Sequence, residues 1–343
     1  MPAPGETLLI RMWDTVERSI GSIFRPWQLQ RYGNAQLGLH RDTLLVLAAA
    51  ERDAQDLRAG RKVLGRESDG RPTALPVVGD GVGSATLAPA TSSPDLSALA
   101  HAATAKVVAD ALGQEVNVTR ALLHAAAELE GDSQQPSEAN VDRDWLFRWR
   151  ESASTVSADD LQYLWGRVLA GEVKAPGTFS LRTLEFIRNL SQDEARAIEK
   201  LSRFVIADMI HMESIQLLED REVPFSFLLQ MEELGIITGV GQRGYLVQIG
   251  GTADDPVDTG LLSCGMVLRI TRSGAGPVLT LRGYKLTAIG RELLKLGKPE
   301  PHLPYLRSVG ASIKVAGFEV TLGRAGTSPG APDEVLVIGG ETL

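Results

Sequence analysis

The side chains of this chain whose types and spacing could do chemistry are mostly carboxylates. Asp142 and Asp144 stand two residues apart, Asp159 and Asp160 are adjacent, and Glu172 follows. Paired carboxylates suit general acid–base catalysis. Asp159 and Asp160, however, open a strongly helical pattern, where the positive end of the helix dipole already accounts for them. Glu172 is read as lying past the end of that pattern, where the dipole offers a carboxylate nothing. It is therefore the more interesting acid, although a structural ion pair to Arg167 or Arg182 is preferred to catalysis.

The remaining reactive residues are scattered. His40, His101, His124, His211 and His302 include no pair at i, i+3 or i, i+4 spacing, so a helical metal pair is absent. Cys264 is the only cysteine, which excludes an internal disulfide and a cysteine-based zinc site; it reads as a small buried hydrophobe. Gly79, Gly81 and Gly83 lack the strand–turn–helix setting of a phosphate-binding loop. No nucleophile elbow, Walker loop, zinc-protease or kinase signature occurs. Neither a cofactor nor a metal is expected, and catalytic function is disfavoured.

The elements that must position these residues are mainly helical. Residues 6–24 form an amphipathic pattern with Leu9, Met12, Trp13, Val16, Ile20 and Ile23 on one face. A longer helix is predicted from Gln28 to Leu64, then a flexible linker rich in Gly, Pro, Ser and Thr over 67–95. Helix resumes from Asp95 to Glu130. The segment from Asp144 to Glu151 carries Trp145, Leu146, Phe147 and Trp149 and so must bury aromatic surface. Ser157 and Asp160 match a capping box. After them Leu161, Leu164, Trp165, Val168 and Leu169 build one inward stripe, with Gly171 at the helix end and a Pro176-Gly177 turn. Ser180 can cap the next helix. Ser191 and Glu194 form a second box, opening a helix read through Val205 and towards His211. Trp145, Trp149 and Trp165 are read as core anchors.

The last third changes period. A helix from Phe225 to Leu234 leads into a short strand at Gly235-Ile236-Ile237. Strands follow at Tyr245–Ile249, Met266–Thr271 and Val278–Leu286, then a helix from Thr287 to Leu296. A final hairpin is read from Ser312–Leu322 and Glu334–Ile338. The fold class is thus mainly α with a smaller α+β part: N-terminal long helices, a central helical bundle, and a C-terminal winged-helix-like region with antiparallel strands. The expected divisions are an N-terminal helical arm (1–66), the linker (67–95), the bundle (96–218), the winged-helix-like region (219–300) and a C-terminal hairpin (301–343).

Particular residues carry a resemblance. Asp144-Trp145, Gln162, Leu164-Trp165, Leu169-Ala170-Gly171-Glu172, Pro176-Gly177, Phe179-Ser180, Arg182-Thr183-Leu184 and Glu194-Ala195 resemble an uncharacterised bacterial family catalogued as domain of unknown function 2806. Leu234–Ile237, Leu286-Thr287, Gly290 and Glu292-Leu293 resemble its C-terminal region, and Ile20-Gly21 with Arg25-Pro26 its helical start. The motif residues Trp145, Trp165, Glu172, Pro176, Gly177, Ser180 and Arg182 are the candidate functional positions. A weaker similarity, through the Leu-Trp helix and Leu190-Ser191-Gln192-Asp193-Glu194-Ala195, reaches proteins of an abortive-infection class and implies a role against phage. Neither resemblance brings a catalytic residue with it.

Charge narrows the partners. The net charge of −8 gives no chain-wide basic footprint for nucleic acid. Residues 220–300 hold nine basic and nine acidic side chains. A balanced module lacks the phosphate attraction that drives nucleic-acid binding unless its charges segregate. Arg269, Arg272 and Arg282 are the residues that could segregate onto one wing, whereas Glu232 and Glu233 on the recognition-helix candidate would repel phosphate. A DNA-binding regulator is kept as a disfavoured alternative, as is an enzyme built on Glu172. The mixed-sign polar face of helix 6–24 disfavours a membrane surface. No apolar run reaches about 18 residues, and Glu6 and Asp14 interrupt any signal-peptide pattern, so a cytoplasmic location is expected. The favoured reading is a non-enzymatic interaction or regulatory protein, with a protein partner or homo-oligomer formed through the N-terminal helices.

Overall fold

The structure, a computed structural model, describes residues 4–20, 36–66, 72–76, 96–130, 132, 137–212, 223–249, 253–328 and 331–343. They divide into two compact units, Met1–Phe179 and Ser180–Leu343. This boundary falls inside the 96–218 segment read as one bundle. The architecture is mixed: helices dominate the first unit, and helices with antiparallel sheets make the second.

The first unit contains α1 (Pro4–Ile20), α2 (Gln36–Arg58), a hairpin of β1 (Lys62–Arg66) and β2 (Pro72–Pro76), α3 (Leu96–Glu130), α4 (Arg143–Ser154) and α5 (Asp159–Lys174). Leu8, Met12 and Val16 repeat every four residues along α1 and are fully or almost fully buried, so its apolar face is used within the unit. α2 stops at Arg58, short of the expected Leu64, and Gly60 turns the chain with φ +69 into β1. Residues 72–76 of the expected linker pair antiparallel with β1. The Gly79, Gly81 and Gly83 run and the Arg25-Pro26 pair lie outside the described residues.

α3 and α5 approach closely because Gly166 has no side chain. A Cβ there would stand 2.6 Å from His124 Cβ and 2.8 Å from the Ala121 carbonyl oxygen. Substituting Gly166→Ala should force the helices apart and cost about 1–3 kcal/mol, the usual penalty of overpacking, read as a lower urea midpoint.

The stripe predicted on α5 is rotated at its start. Leu161 is 39% exposed, while Gln162 is fully buried. The Gln162 amide donates from Nε2 to Asn117 Oδ1 (3.2 Å) and the Val156 carbonyl (3.0 Å), and Asn117 Nδ2 donates to the Ser154 carbonyl (2.8 Å). This polar link between α3 and the α4–α5 connection places Gln162, not Leu161, inward. Both Nε2 protons of this buried amide are matched, whereas its Oε1 meets no partner among the described residues.

The second unit starts with α6 (Leu181–Asn189) and α7 (Gln192–Ser202), followed by β3 (Met209–His211), α8 (Phe225–Glu233), β4 (Ile237–Thr238), β5 (Tyr245–Ile249), β6 (Val257–Ser263), β7 (Met266–Arg272) and β8 (Leu279–Leu286). It closes with α9 (Ala288–Leu294), α10 (Leu303–Val315), β9 (Glu319–Ser328) and β10 (Ala331–Thr342). The helix read towards His211 ends at Ser202, and His211 lies on β3. Ala207 and Asp208 adopt φ of +47 and +62 in a two-residue turn between Ile206 and Met209, which no helix can accommodate.

The strands fall into two sheets. β8 is central in one, with β3 on one side and both β4 and β5 on the other. The other runs β10-β9-β7-β6, all antiparallel. The expected final hairpin is therefore the flank of a larger sheet. Its first strand starts later than read, because Ser312–Val315 belong to α10. Leu306, Val309 and Ile313 keep a helical period to that point; Gly317 (φ +95) breaks it, and buried Phe318, Val320 and Leu322 begin the period of two. α10 packs on this sheet through Gly310, where a Cβ would meet Leu268 and Val320 side chains. The Tyr305 hydroxyl accepts from the His211 backbone N–H at 2.7 Å, tying α10 to the first sheet.

Candidate functional site

The motif at the end of α5 is built from a helix, a glycine turn and two aromatic rings. α5 continues to Lys174, so Glu172 sits in its last turn rather than beyond it. Gly171 leaves room for the Phe179 ring, whose Cε2 would be 2.7 Å from an added Cβ. Phe179 is buried, and the chain reverses through half-buried Pro176 and exposed Gly177 (φ +89).

Glu172 is 2% exposed. Its Oε1 accepts from the Gly177 N–H at 2.5 Å and its Oε2 from the Phe179 N–H at 2.9 Å. The Phe179 carbonyl accepts from Trp145 Nε1 at 2.7 Å. Arg167, one of the two expected ion-pair partners, lies 5.9 Å over the Tyr163 ring instead. Backbone donors hold the carboxylate, since a buried carboxylate needs hydrogen bonds at both oxygens and the tight turn supplies two aimed N–H groups. Both oxygens are thereby engaged in holding the turn.

The other aromatic anchors behave as expected. Trp149 is fully buried and donates from Nε1 to the Trp165 carbonyl at 2.9 Å; Trp145 and Trp165 are 4% and 2% exposed. Asp142 caps α4 by accepting from the Trp145 N–H at 2.8 Å. The Ser157–Asp160 box does not form. The helix begins one residue later than that box requires, with Ala158 at the N-cap and no side-chain cap bond, so Asp159 and Asp160 occupy the first turn.

In the second unit Ser180 caps α6, its Oγ accepting from the Thr183 N–H at 3.3 Å, and its own N–H donates to Glu292 Oε2 on α9 at 2.7 Å. Ser191 and Glu194 form the complete reciprocal box. Glu292 enters the sequence reading only through the family resemblance; its bond to Ser180 spans 112 residues, beyond the reach of local spacing.

Glu232 repeats the Glu172 device. From the end of α8 it accepts from the N–H groups of Gly239 (2.6 Å), Val240 (2.8 Å) and Gly241 (2.8 Å). Burial alone would raise its pKa, but these three donors outweigh it and hold the carboxyl below its ordinary value near 4.5. The stability it contributes is thus complete above about pH 4.5 and is lost as the pH falls through the lower folded value. Glu232→Gln should lower the urea midpoint at neutral pH, and the gap to the native chain should close in acid. The legible signal in both cases is a glutamate at a helix end followed within about ten residues by a glycine turn.

The three candidate nucleic-acid arginines are not brought together. Arg269 forms a two-point ion pair with Asp258 (2.9 and 2.7 Å), which also holds that carboxyl below its usual range. Arg272, three residues along the same strand and so on the other face, donates to the Gly274 (2.9 Å), Asp255 (2.6 Å) and Pro277 carbonyls and lies over the Phe318 ring. Arg282 stands half-buried on β8, in the other sheet.

The histidines with described side chains in α5's neighbourhood and the second unit have structural surroundings. His124 Nε2 is 3.4 Å from Asp159 Oδ1, His302 Nδ1 accepts from the Tyr305 N–H at 3.1 Å as the α10 cap, and His211 is buried on β3. Among the described residues no group of three or more His, Cys, Asp or Glu could hold a metal ion. Among them, too, no helix is long and apolar enough to cross a membrane. Open clefts of about 740 and 560 Å³ are lined by other residues than Glu172. Cys264 lines the larger; burial pushes its thiol up, against the opposing influence of Ser263 and Arg203.

A family model described as Protein of unknown function (DUF2806) matches residues 103–309. The chain belongs to this family. The matched span starts within α3 and ends within α10, and takes in the Glu172 turn, the Ser191–Glu194 box and the Glu232 clasp, so these devices stand within the DUF2806 region. Ile20-Gly21 and Arg25-Pro26 lie outside the span. No curated protein and no solved structure matches the chain.

Proposed function

We propose that this DUF2806 member is a non-enzymatic interaction protein that associates with a second copy of itself through its N-terminal helices. The observation that carries this reading is the uncovered start of α3. Across Ala100–Val108 every side chain is exposed except half-buried Ala105, and Val107 and Val108 are 67% and 39% exposed. Leu45 and Val46 on α2 are 58% and 67% exposed. Among the described residues nothing covers these turns. A short helical stretch open to water over most of its surface gains little from propensity alone and is stabilised by packing. The use of Glu172 and Glu232 as backbone acceptors supports the non-enzymatic part of the reading.

The fold of the second unit supports a winged-helix-like reading of its first sheet: α8 precedes β4 and β5, β8 returns between them and β3, and α9 follows. The excursion between β5 and β8, where a wing would lie, is committed as β6 and β7 to the other sheet. With Arg269 and Arg272 engaged there by protein groups, this favours protein contact over DNA reading. The weaker resemblance to abortive-infection proteins makes phage defence the setting proposed for the assembly.

Sedimentation equilibrium of the full chain tests the reading. The native chain should sediment as a dimer or larger, and Val107→Glu should shift it to monomer, because a charge in an apolar helix contact is costly. A native chain that stays monomeric at tens of micromolar, or an assembly indifferent to Val107→Glu and Val46→Glu alike, would sink it.

A further inference from the structure

Among the described residues, β6 is an edge strand whose backbone is open on one side. The connection from β6 to β7 is the two-residue turn Cys264-Gly265, with φ of +47 and +76, as in a type I′ hairpin. Such a turn makes Ser263 and Met266 a hydrogen-bonded pair, so Leu261 and Thr259 also point their N–H and C=O groups at β7. Leu262, Gly260 and Asp258 then point theirs out of the sheet. One bond fixes this phase: the Ala207 N–H donates to the Leu262 carbonyl at 2.9 Å.

Ala207 is at the tip of the Ile206–Met209 turn, so that turn supplies one rung of an additional strand and goes no further. Among the described residues, the outward backbone groups of Gly260 and Asp258 meet no partner. Gly260 and Leu262 line the cleft of about 740 Å³, together with Val205, Leu294, Lys298 and Pro299. Leu262 is 46% exposed there.

Exposed edges are normally guarded by proline, lysine, a bulge or an inward charge. β6 contains neither proline nor lysine, its register with β7 is unbroken, and its one charge, Asp258, is neutralised by Arg269. We propose that this edge takes up an extended peptide segment of a partner protein as an added strand, read by the backbone at Gly260 and Asp258, with one apolar side chain seated in the cleft beside Leu262 and Leu294. Strand addition draws its affinity from main-chain bonds and its selectivity from alternate side-chain pockets. The surface belongs to the second unit, so it stands or falls separately from self-association through α2 and α3.

The test uses the full chain, amide-resolved NMR and two probes: acetyl-Lys-Thr-Val-Thr-Val-Thr-amide, and the same peptide N-methylated at every residue, which keeps the side chains and loses every backbone donor but the terminal carboxamide. The first should slow hydrogen exchange at Gly260 by about tenfold or more, with shift changes centred on Asp258–Leu262, and the second should do neither. Leu262→Lys, which installs an edge lysine at an exposed position, should weaken the response by about fivefold or more. No change at Gly260 at millimolar peptide, or equal changes with both peptides, would overturn the proposal.

Discussion

Replacing Glu172 by alanine should destabilise the first unit by about 3–5 kcal/mol, since it removes two charge-assisted bonds and strands two backbone N–H groups. Those groups are the N–H of Gly177 and the N–H of buried Phe179. The damage should be local first. Hydrogen exchange at the Gly177 and Phe179 amides should accelerate by roughly 100- to 4,000-fold, since each 1.4 kcal/mol is worth about a factor of ten. Glu172→Gln keeps one acceptor oxygen but turns an amide donor towards the second N–H, so it should recover part of the loss, not all. A catalytic Glu172 predicts the opposite: a glutamine variant with native stability. Urea unfolding of both variants decides between these roles.

Trp149→Ala should cost about as much, 3–5 kcal/mol, by opening a large cavity in the core. Trp149 has no exposed surface, and its indole N–H meets the Trp165 carbonyl on the neighbouring helix α5. Trp149→Phe retains most of the volume and loses only the bond and part of the packing, so it should cost about 1–2 kcal/mol. The difference between the two variants in urea midpoint separates packing from hydrogen bonding. A Trp149→Ala chain of native stability would contradict the anchoring role given to this ring.

The devices that crossed from sequence to structure unchanged are short-range. Ser180 caps α6, Ser191 and Glu194 close their box, and Trp145, Trp149 and Trp165 are buried on helices whose period is plain. Each depends on residues within about one helical turn, where spacing and side-chain chemistry are enough. The Ser157 box failed by a single residue, the margin by which helix starts are uncertain when two neighbouring positions can each be the cap. β6 is not legible in the sequence because Gly260 interrupts its alternation and Leu261-Leu262 sit side by side, so the period of two is weak until β7 defines its face.

What the sequence by itself determined here is most of the helices, though not α10, the capping of α6 and α7, the burial of Trp145, Trp149 and Trp165 and the family to which the chain belongs. Only the tertiary structure decided the roles of the charges. Glu172 and Glu232 became backbone clasps, Arg269 and Arg272 were taken by partners on separate faces, and the strands of the last third were shared between two sheets. The physical reason is range: a cap or an apolar stripe is specified by neighbours along the chain, whereas the partner of a carboxylate, a guanidinium or a strand edge is whatever the folded chain brings within about 3 Å.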